Sequence, residues 1–468
     1  MVSTAFLAAL AWYMFLVCLV YLLAIVVLFA VMLASAIREN RLRAREGQQE
    51  DFDTLLASPF TIPVSVIAPA YNEEFCVLAA TRSLLALQYP EYEVIVVNDG
   101  STDQTLAHLR DEFELEPTGT FFRKTLPSLE VKQIYRSRTQ PRLIVIDKAN
   151  GGKADALNCG INLARYRYVV SVDGDTVYER DSVLKAMRLI NHDPARAVGI
   201  TSQIGLHSRP EGTTYVDRRM RVDRHMLLTF QVFDFLRSFV SCRLAWSRGN
   251  YMLCAPGAFA IWRRDVVLEL GGFSKDFTCE DIEFTFRVHE HFRSSGKPYR
   301  VYSLADTVCI TEGPGTLRTL VSQRARWQRV ITETVWHYRR MLFHRKYGTV
   351  GMIGMPYYVF GEALAPFFQV LAILNVPVAA AAGLLVWEDF FRVVGILAFG
   401  GALYTTVGLF VQERAIRRFA ARDLPYLILL TPLELILYRP VIFYAQFKGV
   451  FDFLRGDRGW HKFQRNRR

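Results

Sequence analysis

The apolar and polar positions of this chain fall into three regimes. Residues 1–37 carry no charged side chain. Crossing the hydrocarbon layer takes roughly 20 apolar residues, so Ala5–Ile37 predicts one tilted transmembrane helix. A cleaved leader would begin basic and have a shorter apolar core. From about 55 to 345 the pattern changes to short apolar runs separated by amphipathic stretches. Ile62–Ala68, Glu93–Val97, Arg142–Ile146 and Tyr168–Val172 read as strands, and Cys76–Gln88 and Lys153–Ala164 as helices. Continuous apolar strands alternating with helices predict an α/β domain around a parallel sheet buried on both faces. Asp111–Gln140 is polar and mixed in charge, and reads as an insertion without assigned function.

The third regime, 350–455, is apolar again but interrupted. Val350–Trp387 holds Pro356, Pro366 and Pro377 and one charge, Glu362, so it predicts one broken span or two short ones. Glu362 is expected either to line a cavity or to reach the interface. Val393–Val411 predicts a further span. Leu424–Val450, broken by Pro432, Glu434, Arg439 and Pro440, reads as an interfacial or re-entrant element. A basic tail occupies 456–468.

Charge orients these segments. The chain carries a net +11, and the basic residues flank the apolar blocks. Arg38, Arg41, Arg43 and Arg45 follow the first block, and Arg414, Arg417, Arg418 and Arg422 follow the third. The excess of basic residues on the cytosolic side of spans places 55–345 in the cytosol of a multi-pass protein of the inner (plasma) membrane. Zinc-finger spacing and RNA-binding aromatic motifs are absent, so the charge points to lipid and phosphate rather than nucleic acid. The 7 cysteines (18, 76, 159, 242, 254, 279, 309) contain no CxxC and suit reduced thiols.

Candidate chemistry clusters where strands end, the place where ligands bind in open α/β sheets. In SVDGDTV, Asp173 and Asp175 flank Gly174 and are the candidate metal ligands. Hard divalent cations take carboxylate oxygens together with substrate phosphates; an ordinary Asp-Gly turn would look the same. Asp99, in VVNDGSTDQT, can accept from a base or ribose, with Ser101–Asp103 as helix-cap chemistry. In NGGKADALN, Lys153 starts a helix after two glycines, a setting that draws anions, although GxxxxGK[ST] is absent. Gly257 in CAPGAFAIWRRD leaves room for an acceptor or makes a turn. In FTCEDIEF, Asp281 beside Glu280 is the candidate general base, because a neighbouring carboxylate raises its pKa; both also suit a helix N-terminus. In VSQRARWQRV, Gln323, Arg326 and Trp327 share a helix face. Arginine suits a diphosphate, and an indole offers a flat face to a sugar ring. Arg324 and Arg329 are expected on the lipid surface.

The ordered set APAYNEE, VVNDGS, GGKADALN, DGD, CEDIE and QRARW resembles the glycosyltransferase family 2 membrane synthases, which include poly-N-acetylglucosamine, cellulose, chitin and hyaluronan synthases. The likeness covers about residues 62–345 and the flanking membrane layout. It implies a GT-A, Rossmann-like fold between an N-terminal transmembrane helix and a C-terminal helical membrane region. It also implies a UDP-sugar donor, Mg²⁺ or Mn²⁺, and inversion at the anomeric carbon. By this likeness Ala70, Tyr71, Glu73 and Asp99 contact the nucleotide and Lys153 the diphosphate. Asp173 and Asp175 correspond to the metal motif, Asp175 as the direct ligand. Asp281 corresponds to the base, and Gln323, Arg326 and Trp327 close over diphosphate and acceptor. The EDIE form, the modest number of membrane segments and the lack of a c-di-GMP module after Val450 point to a poly-N-acetylglucosamine-like synthase. The expected function is extension and translocation of a β-linked polysaccharide, with a glycan acceptor and the bilayer as partners and accessory membrane subunits left open. The alternative is a single addition to a membrane lipid.

Overall fold

The computed structural model describes residues 4–47, 52–120, 122–207, 215–216, 219–220, 222–238, 243–415 and 418–456. The strands, in chain order, are β1 (Val64–Ala70), β2 (Tyr92–Asp99), β3 (Leu115–Thr118), β4 (Val131–Ser137), β5 (Leu143–Lys148), β6 (Tyr168–Val172), β7 (Val177–Tyr178), β8 (Ala197–His207), β9 (Tyr215–Val216), β10 (Arg219–Met220), β11 (Phe259–Arg263) and β12 (Arg300–Glu312). Ten of them form one sheet in the order β3-β4-β5-β2-β1-β6-β11-β8-β12-β7.

The parallel centre follows the apolar runs. β5, β2, β1 and β6 run parallel, and β2 is buried along its whole length. Side chains alternate across a strand, so Ile67, Ile95, Val97 and Ile146 face one core with Leu157, Phe284 and Phe286. Val66, Val94, Val96 and Val145 face the other core with Val77, Leu84, Leu109 and Met187. The helices Val77–Leu85 and Lys153–Leu163 are shorter than the sequence pattern suggested at one end or both.

The sheet is mixed, not purely parallel. β11 is antiparallel to β6 and β8, while β12 runs parallel to β8. The polar 111–140 stretch is no loose insertion: β3 and β4 make an antiparallel edge on β5. The chain before β4 is clasped to the Lys153 helix, where Asn162 Oδ1 accepts from Leu126 N at 2.8 Å and Asp155 accepts from Leu129 N at 3.0 Å. That clasp fixes the helix whose first residue is Lys153.

The first helix does not stop at residue 37 but continues to Gly47, because nothing in the basic stretch breaks it. Its apolar part is long enough to cross a membrane, as is Trp387–Arg414. Tyr21 stacks on Phe368 with centroids 3.9 Å apart, and Glu39 pairs with Arg248 at 2.9 Å. The remaining apolar blocks are bent pairs: Val350–Ala363 with Ala365–Ala381 at 44°, and Ala421–Leu437 with Arg439–Leu454 at 49°. Glu362 accepts from Tyr357 Oη at 2.6 Å. A third core, with Phe230, Phe233, Leu320, Leu409, Leu427 and Ile442, joins this block to the sheet end. Cys18, Cys76, Cys159, Cys254, Cys279 and Cys309 are free thiols. Beyond Gly456 the expected basic tail lies outside the described residues, as do Arg417 and Cys242.

Candidate active site

The site grows from the ends of β1 and β6. Where β6 stops, Asp173-Gly174-Asp175 turns directly beneath β1: a Cβ on Gly174 would run into the carbonyl oxygen of Pro69, and Ala70 is the next neighbour. Tyr178 locks the turn. Its hydroxyl accepts from Asp173 N at 2.9 Å and donates to Ala258 O at 2.9 Å, tying the turn to the loop before β11. Asp175 and Asp173 are both half-buried.

Three separate segments meet at this turn. Lys153 Nζ lies 2.6 Å from Asp173 Oδ1 and 3.1 Å from Glu280 Oε1. Gly257 N donates to Asp281 Oδ2 at 2.7 Å, and Ile282 N donates to Asp281 Oδ1 at 2.7 Å. A Cβ on Gly257 would fall 2.5 Å from Lys153 Nζ and 3.3 Å from Asp281 Oδ2, so glycine is what leaves the space there. Burial, then the Glu280 charge, raises the Asp281 carboxyl to about 6, against Lys153 and the two backbone donors. Burial works against the Lys153 ammonium, yet Asp173, Glu280 and Asp281 together hold its pKa well above the ordinary value. The cluster therefore pairs a fixed cation with a carboxylate poised to titrate near neutrality, an arrangement suited to moving a proton beside an anionic leaving group.

The QRARW helix, Leu317–His337, is stitched to the Glu280–Ser295 helix and the loop before it. Arg329 donates to Thr278 Oγ1 at 2.6 Å, Glu333 accepts from Thr278 N at 3.2 Å, and Tyr338 donates to Glu283 at 2.8 Å. Arg326 is half-buried, with its Nε out of contact with water and without a hydrogen-bond partner among the described residues. The Cys279 thiol is pushed up by burial and by the Asp281 charge, while the Arg326 charge opposes the shift. Gln323 is half-buried on the same helix. Trp327 packs on Phe235, with centroids 6.2 Å apart, under the Arg324 guanidinium at 4.1 Å. Arg324 and Arg329 are buried, so neither lies on a lipid surface as the sequence pattern suggested.

Tyr71 and Glu73 sit on the turn after β1. Asn72 N and Glu73 N donate to Ser101 Oγ and Thr105 Oγ1 at 3.0 and 2.7 Å. Asp99 is 2% exposed, and its carboxylate is already engaged by Lys148 Nζ at 2.5 Å, Gly151 N at 3.0 Å and Gly152 N at 2.7 Å. It shapes the loop that delivers Lys153. Sequence reasoning missed Lys148 and Tyr178, and noted Asp155 at the helix start without giving it a role. Lys148 Nζ bridges Asp99 and Asp155 at 2.5 and 2.7 Å. A lysine ending a strand and a tyrosine three residues past a DGD turn carry no signal until the sheet is assembled.

A mixed α/β sheet with a DGD turn, an ED pair and an arginine–tryptophan helix, beside helices long and apolar enough to cross a membrane, is the arrangement of a glycosyltransferase of GT-A fold. The signature described as "Glycosyl transferase family group 2" matches residues 168–443, and "Glycosyl transferase family 2" matches 65–126. The chain belongs to this glycosyltransferase family. It is similar to poly-beta-1,6-N-acetyl-D-glucosamine synthase of Staphylococcus aureus (strain COL), 25% identical over 266 residues, which are 56% of this chain and 53% of that one. The Staphylococcus epidermidis synthase of the same name is 26% identical over 265 residues. The chain thus spans about half the length of these curated relatives, 53% in each case. In fold it is similar to a mannosyltransferase from Pyrobaculum calidifontis, solved with GDP-Man and Mn2+. That likeness has a TM-score of 0.56 at 19% identity and covers 96% of this chain and 99% of the other.

Proposed function

We propose that this chain is an inverting, metal-dependent transferase of the inner membrane. In this reading it moves a sugar from a UDP-sugar to a growing β-linked polysaccharide of the poly-N-acetylglucosamine type. The observation that carries the reading is the meeting of Lys153, Asp173, Gly257, Glu280 and Asp281, from four chain segments, at one strand end. Similarity to two poly-N-acetylglucosamine synthases supports the sugar class. Residues 55–345 form the cytosolic transferase, between the N-terminal membrane helix (1–37, its helix running on to 47) and the membrane region 350–455, with 456–468 a cytosolic tail.

Ala70, Tyr71 and Glu73 border the nucleotide, and Asp99 acts beneath it through the 149–153 loop. Asp281 takes the acceptor hydroxyl proton as that oxygen attacks the anomeric carbon from the face opposite the leaving UDP. Glu280 keeps the Asp281 pKa up. Lys153 and Arg326 offset the charge that accumulates on the diphosphate, and Gln323 and Trp327 hold the acceptor end. Asp175 and Asp173 would hold Mg²⁺ or Mn²⁺. Among the described residues no three His, Cys, Asp or Glu side chains gather into a full protein cage. Two carboxylates completed by donor phosphates and water suit Mg²⁺. When bound, such an ion supplies positive charge to the diphosphate.

Incubating membranes that contain the full chain with individual UDP-sugars, with Mg²⁺ and Mn²⁺ in turn, tests this reading. UDP release with a ladder of lengthening glycan supports it. A single organic-soluble product would instead indicate one addition to a lipid, and no UDP release with any donor would overturn the assignment.

A further inference from the structure

Away from the reacting cluster, two acids and three arginines pack together where the transferase meets the membrane block. Asp234, near the end of the helix Met226–Leu236, is the hub. Its Oδ1 accepts from Arg237 at 2.9 Å and from Arg439 at 3.2 Å. Its Oδ2 accepts from Tyr438 Oη at 2.7 Å and lies 3.6 Å from Arg324 Nη2. Glu434 takes both Arg237 nitrogens and Arg439. Arg324 is 8% exposed at its side chain, and Asp234 is the carboxylate it meets. An arginine so far out of water needs a fixed anion.

Arg324 sits three residues before Trp327, and its guanidinium lies 4.1 Å from the centroid of the Trp327 ring. A cation that can swing between several neighbours covers an indole only if something holds its other side. Asp234 does this, as an ion pair at 3.6 Å and through Tyr438, whose hydroxyl accepts from Arg324 Nη2 at 3.3 Å and donates to Asp234; the next residue, Phe235, packs against the same indole. Consecutive residues of one helix thus grip Arg324 and Trp327 together. Tyr438 and Arg439, at the bend between the last two helices, lock that grip to the membrane block.

We propose that Asp234 is a positioning residue for the acceptor end of the site, setting the Trp327 indole by anchoring Arg324. This rests on the reading of Trp327 as an acceptor contact. The full chain in lipid nanodiscs, given UDP-N-acetylglucosamine and a short β-1,6-linked N-acetylglucosamine oligosaccharide, tests it. Asp234→Asn should raise the acceptor KM tenfold or more. Donor KM and acceptor-independent donor hydrolysis should stay within about twofold, and Asp234→Glu should recover most of the loss. Arg324→Lys keeps the charge but loses the flat stack, and should give the same acceptor-selective defect even if Asp234→Asn folds poorly. The double variant should be no worse than Arg324→Lys alone. An unchanged acceptor KM in the Arg324 variant, or equal loss of hydrolysis and transfer in both variants, would overturn the inference. A wild-type chain that neither hydrolyses nor transfers any UDP-sugar would sink the functional reading instead, which keeps the two failures apart.

Discussion

Lys153 Nζ sits 2.6 Å from Asp173 Oδ1 while its other near neighbour, Glu280, belongs to the pair that contains the candidate base. One cation therefore joins the metal-type turn to the acid pair. Removing it changes both. Lys153→Met should lower kcat and raise the donor KM, since the diphosphate loses a charge partner. It should also raise the Asp281 pKa, because Lys153 is the positive charge that opposes Glu280 there. The pH midpoint of kcat/KM should then move upward from its wild-type value. A midpoint unchanged in Lys153→Met would show that the two groups do not communicate.

The wild-type midpoint follows from Asp281 itself. A general base works deprotonated, and burial with Glu280 puts this carboxyl at about 6. Activity should fall roughly tenfold per pH unit below that value and level off above it, as kcat/KM reports the free enzyme. Asp281→Asn should cost about 10²–10⁴ in kcat and abolish that limb of the profile. UDP release measured across this pH range in both proteins checks the assignment, and a folded Asn variant with near-normal turnover would end it.

Gly257 makes a steric prediction. In Gly257→Ala the new methyl would fall 2.5 Å from Lys153 Nζ and 3.3 Å from Asp281 Oδ2. The ammonium is the end of a flexible side chain, so it can move and the fold should survive with little change in Tm. Its displacement from Asp173 should nonetheless lower kcat/KM by about 10²-fold, the scale expected when a reacting group shifts by about an ångström. Thermal unfolding measured beside initial rates separates the two effects.

The strands at the sheet centre were readable because both of their faces are covered, which makes IPVSVIA and EVIVV almost wholly apolar. β8 and β12 were not, since Thr201, Ser202 and Gln203 in β8 and Ser303 in β12 are polar yet fully buried. For Thr201 the partner comes from a distant segment, its Oγ1 donating to Phe259 O at 3.0 Å. The candidate site residues stood out where each followed a strand or opened a helix, as Asp173, Lys153 and Asp281 do. Arg324 and Arg329 misled because a basic helix before an apolar block looks the same whether it lies on lipid or in a charged core. Only tertiary packing distinguishes Arg329 bonded to Thr278 from an arginine on a headgroup.

Lys148 supplies the strongest stability prediction because its charge is sealed in. Its side chain and that of Asp155 are 0% exposed and that of Asp99 is 3% exposed. Lys275 also reaches Asp155, but from a partly open position. Lys148→Met would leave Asp99 with only its backbone donors and Asp155 with Lys275 and Leu129 N. Breaking a buried ion pair from one side costs about 3–5 kcal/mol, so Tm should fall clearly, in contrast to Gly257→Ala. The damage should also reach the chemistry, because Asp99 clamps Gly151 and Gly152 just ahead of Lys153. Replacing Asp99 with Asn as well removes one of the stranded charges and should restore part of the lost Tm. If the double variant is as unstable as Lys148→Met, the penalty comes from packing of the lysine stem and not from an uncompensated carboxylate.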